Sequence, residues 1–187
     1  VEYRGTVMTE EEILKLFYYK FTETPLLKRM DLVRDYFIDE WETLRGRNIS
    51  DDDKLLLQQK FDKMYVTKDL YRIYCQLLEE CGLDPLSGAE YERRKIPYED
   101  VFPMLYLKYR LKGKNEHRNI KHLVIDEMQD YSYLQYTILA NLFSCKMTIL
   151  GDRAQTMDVR QQDVLKFLPR ILGRDLHKIE MNKSYRN

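Results

Sequence analysis

The sequence is poor in the residues that build stapled scaffolds. Its three cysteines, Cys75, Cys81 and Cys145, are odd in number and show no CxxC spacing, and its three histidines, His117, His122 and His177, form no HxxxH pair. Neither a disulfide framework nor a structural zinc site is expected, and this cysteine usage fits a reducing, cytoplasmic setting. No apolar run approaches the roughly 20 residues of a membrane-spanning helix, and no secretory leader pattern is visible, so no membrane partner is expected. Net charge is also lacking, because 31 Lys and Arg face 31 Asp and Glu. That balance argues against a uniformly basic nucleic-acid glove, although local patches remain open. Internal repeats and low-complexity stretches are absent as well.

What is present is a globular composition, 44% hydrophobic, 12% aromatic and 33% charged over 187 residues. Such a chain can bury one sizeable core, or one domain with a helical extension. It opens on Val1 instead of Met and closes on a motif at 182–187, so the expectation is a piece of a longer polypeptide.

The first two thirds read as helices. Leu26, Met30, Val33, Phe37, Trp41 and Leu44 recur at gaps of four and three, which predicts one face of a long helix. Ile13, Leu14, Leu16, Phe17 and Phe21 make a shorter stripe, entered through Thr9 and the acidic Glu10, Glu11 and Glu12. Gly46 and the run at 50–53 break the pattern and open a helix carrying Leu57, Phe61 and Met64. Leu70, Tyr74, Leu77 and Cys81 continue the spacing until Gly82 stops it. Residues 84–95 are polar and turn-rich, and Pro97, Glu99 and Asp100 suit the first turn of another helix burying Val101, Met104 and Leu105.

Past Gly113 the grammar changes. Leu123, Val124 and Ile125 form a short apolar run that ends abruptly in acid, a fully buried strand by type. A helical stretch at 133–143 follows, then a second β-type run at 147–150, a helix at 161–172 interrupted by Pro169, and a third strand at 177–181. Alternating strands and helices imply a parallel sheet. The fold class expected is α/β, a helical N-terminal subdomain followed by a partial three-layer domain with a short parallel sheet.

Three segments carry chemistry. Asp126 and Glu127 end the first strand, and ligands of parallel sheets bind beyond the carboxyl ends of the strands. Nucleotide hydrolysis needs one carboxylate to hold Mg²⁺ and a second group to aim the attacking water, and adjacent acids at a strand end can provide both. Gly151 and Asp152 end the second strand; Gly151 permits close backbone approach, and Gln155 can touch a γ-phosphate or the water attacking it. Arg186, in the stretch at 182–187, offers a planar fork for charge on a transferring phosphoryl group.

Asp-Glu-x-Gln-Asp at 126–130, Gly-Asp-x-x-Gln at 151–155 and Ser-Tyr-Arg at 184–186 together resemble motifs II, III and IV of UvrD/Rep-type superfamily 1 DNA helicases. The wording at 120–132, with Lys-Ser-Tyr-Arg at 183–186, is closest to the HelD branch, and Tyr3-Arg-Gly-Thr-Val with the helices behind it resembles the accessory helical subdomain of that branch. The likeness implies a RecA-like motor fold. Residues 1–112 would be the helical accessory subdomain of the first motor domain, and 113–187 a partial motor domain running into the start of the second. It implies that Asp126 binds Mg²⁺ and that Glu127 activates water. Gln155 would sense the γ-phosphate, and Arg186 would serve as an arginine finger. Gln129 and Asp130 would link the ATP site to the DNA-moving parts; Asp126, Gln129, Asp130, Gly151 and Asp152 form the nucleotide-binding set. ATP and Mg²⁺ are the implied cofactors, and single-stranded or duplex DNA the implied partner.

One element of the family pattern is missing. No stretch matches the phosphate loop GxxxxGK[ST]: Gly113-Lys114 is followed by Asn115, and Lys108 stands where the first glycine belongs. The chain alone would then lack the lysine and hydroxyl that complete the site. Met128 stands where a small residue is more usual, and its expected role is packing. Two alternatives belong to other classes. The HelD likeness implies an interaction module for RNA polymerase, and the run at 108–121 offers a nucleic-acid surface. In that run Lys108, Arg110, Lys112, Lys114, Arg118 and Lys121 are opposed only by Glu116.

Overall fold

The computed structural model describes residues 1–88, 90–113, 117, 119–152, 164–173 and 176–181. Two compact units divide the chain, Val1–Lys114 and Asn115–Asn187. The class is α/β: helices first, then a short parallel sheet with helices.

The first unit begins with a hairpin that the sequence reading did not resolve. Strands β1 (Glu2–Tyr3) and β2 (Thr6–Val7) pair antiparallel, with Tyr3 opposite Thr6. Arg4 and Gly5 make the connection at φ 45° and 80°, the two positive values that a two-residue turn matching strand twist demands. The hairpin is tied down by side chains: the Tyr3 hydroxyl and the Arg4 guanidinium both donate to the Asp53 carboxylate, at 2.8 and 2.9 Å. The Tyr3 bond, then Ser50 and the positive charge of Arg4, hold Asp53 below the usual carboxylate range.

Helix α1 (Glu10–Lys15) starts on a reciprocal cap, in which the Thr9 hydroxyl accepts from the Glu12 amide and the Glu12 carboxylate accepts from the Thr9 amide. It runs into a π-turn over Leu16–Lys20, closed by the Phe21 amide donating to the Leu16 carbonyl. Ile13, Leu16 and Phe17 share one α-helical face and are buried, whereas Leu14, one residue round from Ile13, faces out. Helix α2 (Leu26–Arg45) buries Leu27, Met30, Val33, Phe37, Ile38 and Trp41. The expected ends of that stripe, Leu26 and Leu44, are exposed, because the packed face turns through Leu27 and Ile38 instead. Helix α3 (Asp51–Asp62), capped by Ser50, adds Leu57 and Phe61 to the same core; Met64 lies past its end and is exposed.

Helix α4 (Leu70–Glu80) buries Tyr71, Tyr74 and Leu78, one position on from the expected Leu70 and Leu77. It stops in a reciprocal carbonyl-capping turn, with Gly82 donating to Glu79 and Leu83 to Leu78. Helix α5 (Tyr98–Lys112) lies against it through Met104, while Val101 is exposed. Tyr74 donates to Asp100 at 2.6 Å across this pair, and burial followed by that bond raises the phenol well above its ordinary range.

In the second unit, β3 (His122–Ile125) pairs parallel with β4 (Lys146–Ile149), in a register that places Ile125 beside Ile149. Helix α6 (Tyr133–Leu142), started by a Ser132–Gln135 capping box, connects them. Helix α7 (Val164–Leu172) passes through Pro169 without interruption, so the expected break there does not occur. Together α6 and α7 cover the sheet face that carries Leu123, Ile125 and Ile149. The strand expected to be buried on both sides therefore alternates instead, with Val124 60% exposed. The third expected strand is not formed: residues 176–181 pair with no strand among the described residues, and Ile179 and Met181 are 85% and 86% exposed. With Ile179 and Met181 left exposed, the segment has no buried face, and an alternating pattern alone does not make a strand.

Candidate functional site at the carboxyl end of the parallel sheet

Because β3 and β4 run in the same direction, the residues that follow them emerge at one end of the sheet. Asp126 and Glu127 leave β3 there, and Leu150, Gly151 and Asp152 leave β4. Backbone bonds hold the two exits together: the Leu150 amide donates to the Ile125 carbonyl at 2.8 Å, and the Met128 amide to the Leu150 carbonyl at 2.9 Å. Two of the three predicted segments therefore meet in space.

Glu127 has φ 51° and ψ 55°, a left-handed backbone on a residue with a long side chain. Such a conformation costs on the order of 1–3 kcal/mol and persists only where its surroundings impose it. Here they do. The Glu127 amide donates to Asp126 Oδ1 at 2.9 Å, and its carbonyl accepts from the Asp130 amide at 2.9 Å. Residues Met128–Asp130 then form a single 3-10 turn. The consequence is that Asp126 and Glu127 both remain exposed at the sheet end while Gln129 turns inward, 7% exposed. Gln129 Nε2 donates to Glu127 Oε2 at 2.6 Å, and its Oε1 is buried without a hydrogen-bond partner. An unmet buried acceptor of this kind costs about 1–3 kcal/mol.

The turn is supported from below by a residue that sequence reasoning missed. Tyr136 on α6 is 1% exposed and donates its hydroxyl to the Met128 carbonyl at 3.1 Å. Burial, and then the neighbouring Tyr131, push its phenol from 10.0 up to about 12. The raised value means that the contribution of this group is intact below pH 10.0 and is lost as pH rises through about 12. The only signal in the sequence was a tyrosine one helical turn beyond the Ser132 cap.

Gly151 forms the opposite wall. A Cβ there would lie 2.3 Å from Met128 Cγ, 2.7 Å from the Met128 amide nitrogen and 2.8 Å from Gln129 Oε1. The thioether can swing aside, but the backbone nitrogen cannot. Replacing Gly151 with alanine is therefore expected to separate the two exits and to lower unfolding free energy by about 1–3 kcal/mol. Urea denaturation of the chain measures this, and an unchanged midpoint would refute the close-packing argument. Met128 plays its expected part, since its side chain fills the space over Gly151.

Gln155 and Arg186 lie outside the described residues, as do Lys114 and Arg118 of the basic run. Among the described residues no group of three or more His, Cys, Asp or Glu side chains is placed to hold a metal ion, and no helix is long and apolar enough to cross a membrane.

The UvrD/REP helicase N-terminal domain family matches residues 25–157, which include both exits of the sheet and most of the helical unit. The chain belongs to this family. A comparison with curated proteins finds no match. Membership places the chain among the UvrD/Rep-type superfamily 1 helicases.

Proposed function

We propose that this chain supplies the acid half of the ATP site of a DNA helicase, in which hydrolysis drives movement along single-stranded DNA. The observation that carries the reading is the juxtaposition of Asp126 and Glu127 with the Gly151–Asp152 exit at one end of a parallel sheet. The donor set suits Mg²⁺, a hard ion that keeps several waters and takes one or two carboxylates along with substrate phosphates. Two exposed acids at the sheet end match that need. When bound, Mg²⁺ supplies neutralisation of charge on the terminal phosphates.

In this reading Asp126 holds the ion through water, and Glu127 accepts a proton from the attacking water at its carboxylate. Gln155 would contact the γ-phosphate or that water, and Arg186 would stabilise charge as an arginine finger. Asp130 and Asp152 belong to the surrounding nucleotide set. Residues 1–112 act as the helical accessory subdomain of the first motor domain. Residues 113–187 act as part of that motor domain and the start of the second. The wording at 120–132 and 183–186 supports placing the protein in the HelD branch.

GxxxxGK[ST] occurs nowhere in the 187 residues, and this reading assigns the phosphate loop to another part of a parent helicase. The purified chain is expected to show no ATP turnover above background in a phosphate-release assay. Turnover by the chain alone, abolished by Glu127→Gln, would overturn this division of labour. The HelD assignment adds RNA polymerase as a protein partner of the helical unit. Retention of polymerase on the immobilised chain tests it, and absence of retention counts against that branch.

A further inference from the structure

Gln129 is the one polar or charged residue among those described that is as buried as the hydrophobic core. Its amide is hydrogen-bonded on one side and only packed on the other. Nε2 donates to Glu127 Oε2 at 2.6 Å, and Oε1 lies 2.8 Å from where a Cβ on Gly151 would sit, so the amide rests directly on the loop leaving β4. The orientation of the amide is fixed by charge, because the reverse orientation would set its oxygen against the Glu127 carboxylate. Its other face is left with an acceptor that nothing satisfies. A leucine would fill the same space without that penalty, so packing alone does not account for an amide here. What the amide provides is a hold on an otherwise exposed carboxylate.

We propose that Gln129 is a positioning residue for the Glu127 carboxylate: backed by Gly151, it donates one charge-assisted hydrogen bond that restricts where Glu127 can point. The proposal rests on reading Glu127 as the group that activates water. Without the bond, a solvent-exposed glutamate on a left-handed backbone would sample several rotamers, and only a fraction of molecules would have the carboxylate correctly aimed. Gln129 touches no reacting atom. Its effect should therefore appear in turnover and not in nucleotide affinity.

Two measurements test this. In the ¹⁵N-labelled chain, the Gln129 side-chain amide protons should resonate downfield of those of other glutamines, and should move upfield in Glu127→Leu, which removes the acceptor. Side-chain signals that do not respond to Glu127→Leu would show that the bond is not formed in solution and would end the proposal. In the parent helicase, Gln129→Leu should lower kcat about tenfold or more with little change in KM for ATP. Gln129→Glu, which removes the donor and sets two carboxylates together, should be worse. A Gln129→Leu enzyme with wild-type kcat, or one whose loss lies in KM, would overturn the positioning role. Glu127→Gln separates this from the underlying reading: full turnover in that variant removes Glu127 as the base. Loss of turnover in Glu127→Gln alongside wild-type turnover in Gln129→Leu removes only the positioning claim. Should Gln129→Leu fail to fold, the resonance shift in the unaltered Gln129 background still decides.

Discussion

Replacing Glu127 with glutamine in the parent helicase is expected to lower ATP turnover by about 10²–10⁴-fold while nucleotide binding persists, the range typical of losing a positioned general base. The substitution keeps the size and reach of the side chain. A glutamine oxygen can still accept from Gln129 Nε2, and the left-handed backbone is held through the Glu127 amide, which donates to Asp126 Oδ1, and the Glu127 carbonyl, which accepts from the Asp130 amide, both left in place by the change. The lost feature is the ability to take a proton. Asp126→Asn should behave differently, because it weakens both the hold on Mg²⁺ and the bond that Asp126 Oδ1 accepts from the Glu127 amide. Steady-state phosphate release, paired with a fluorescent-nucleotide titration, distinguishes the two. A Glu127→Gln enzyme that retains turnover within about threefold would exclude Glu127 as the base.

Much of the site was legible because its ingredients are local. An apolar run ending in two acids, and a second ending in Gly-Asp, announce strand ends, and parallel pairing places strand ends together. What could not be read was the conformation between them. Nothing in the letters Asp-Glu-Met-Gln-Asp says that Glu127 is left-handed or that Gln129, not Met128, is the more buried side chain. Those outcomes follow from Tyr136 holding the Met128 carbonyl and from Gly151 lying under the turn, both of which are tertiary.

The helical unit shows the same division. Caps at Thr9, Ser50 and Gly82 were legible, since each acts within a few residues of itself. The phase of the apolar stripes was less so. Leu77 and Leu78 are equally apolar, and only the position of α5 decides that Leu78 is covered. The π-turn at Leu16–Lys20 adds a rotation that a 3.6-residue period cannot anticipate. The Arg4-Gly5 hairpin was missed because strands of two residues carry almost no alternation, although the two-residue turn itself was a usable signal.

The largest effect on stability is expected at Trp41. Its side chain is 1% exposed on α2, and the Tyr3 ring meets it edge-on at 5.2 Å, so it joins the hairpin to the helical core. The Arg47 guanidinium lies 5.5 Å from its ring centre. Trp41→Ala should therefore destabilise the chain by about 3–5 kcal/mol, through lost apolar contact and the cavity left behind. The indole Nε1 is buried without an acceptor, which subtracts from what the tryptophan contributes. Trp41→Phe removes that unmet donor together with part of the ring, and should cost less than about 1.5 kcal/mol. The ordering matters more than either value, because a role confined to surface packing would make both changes small. Trp41 is the only tryptophan, so its fluorescence follows the helical unit alone in the unaltered chain, and the variants must be followed by circular dichroism. An alanine variant whose urea midpoint is unchanged would mean that the hairpin and α2 are not held together through this ring. A phenylalanine variant as unstable as alanine would show that the contact depends on the full indole, and that the unmet donor carries little cost.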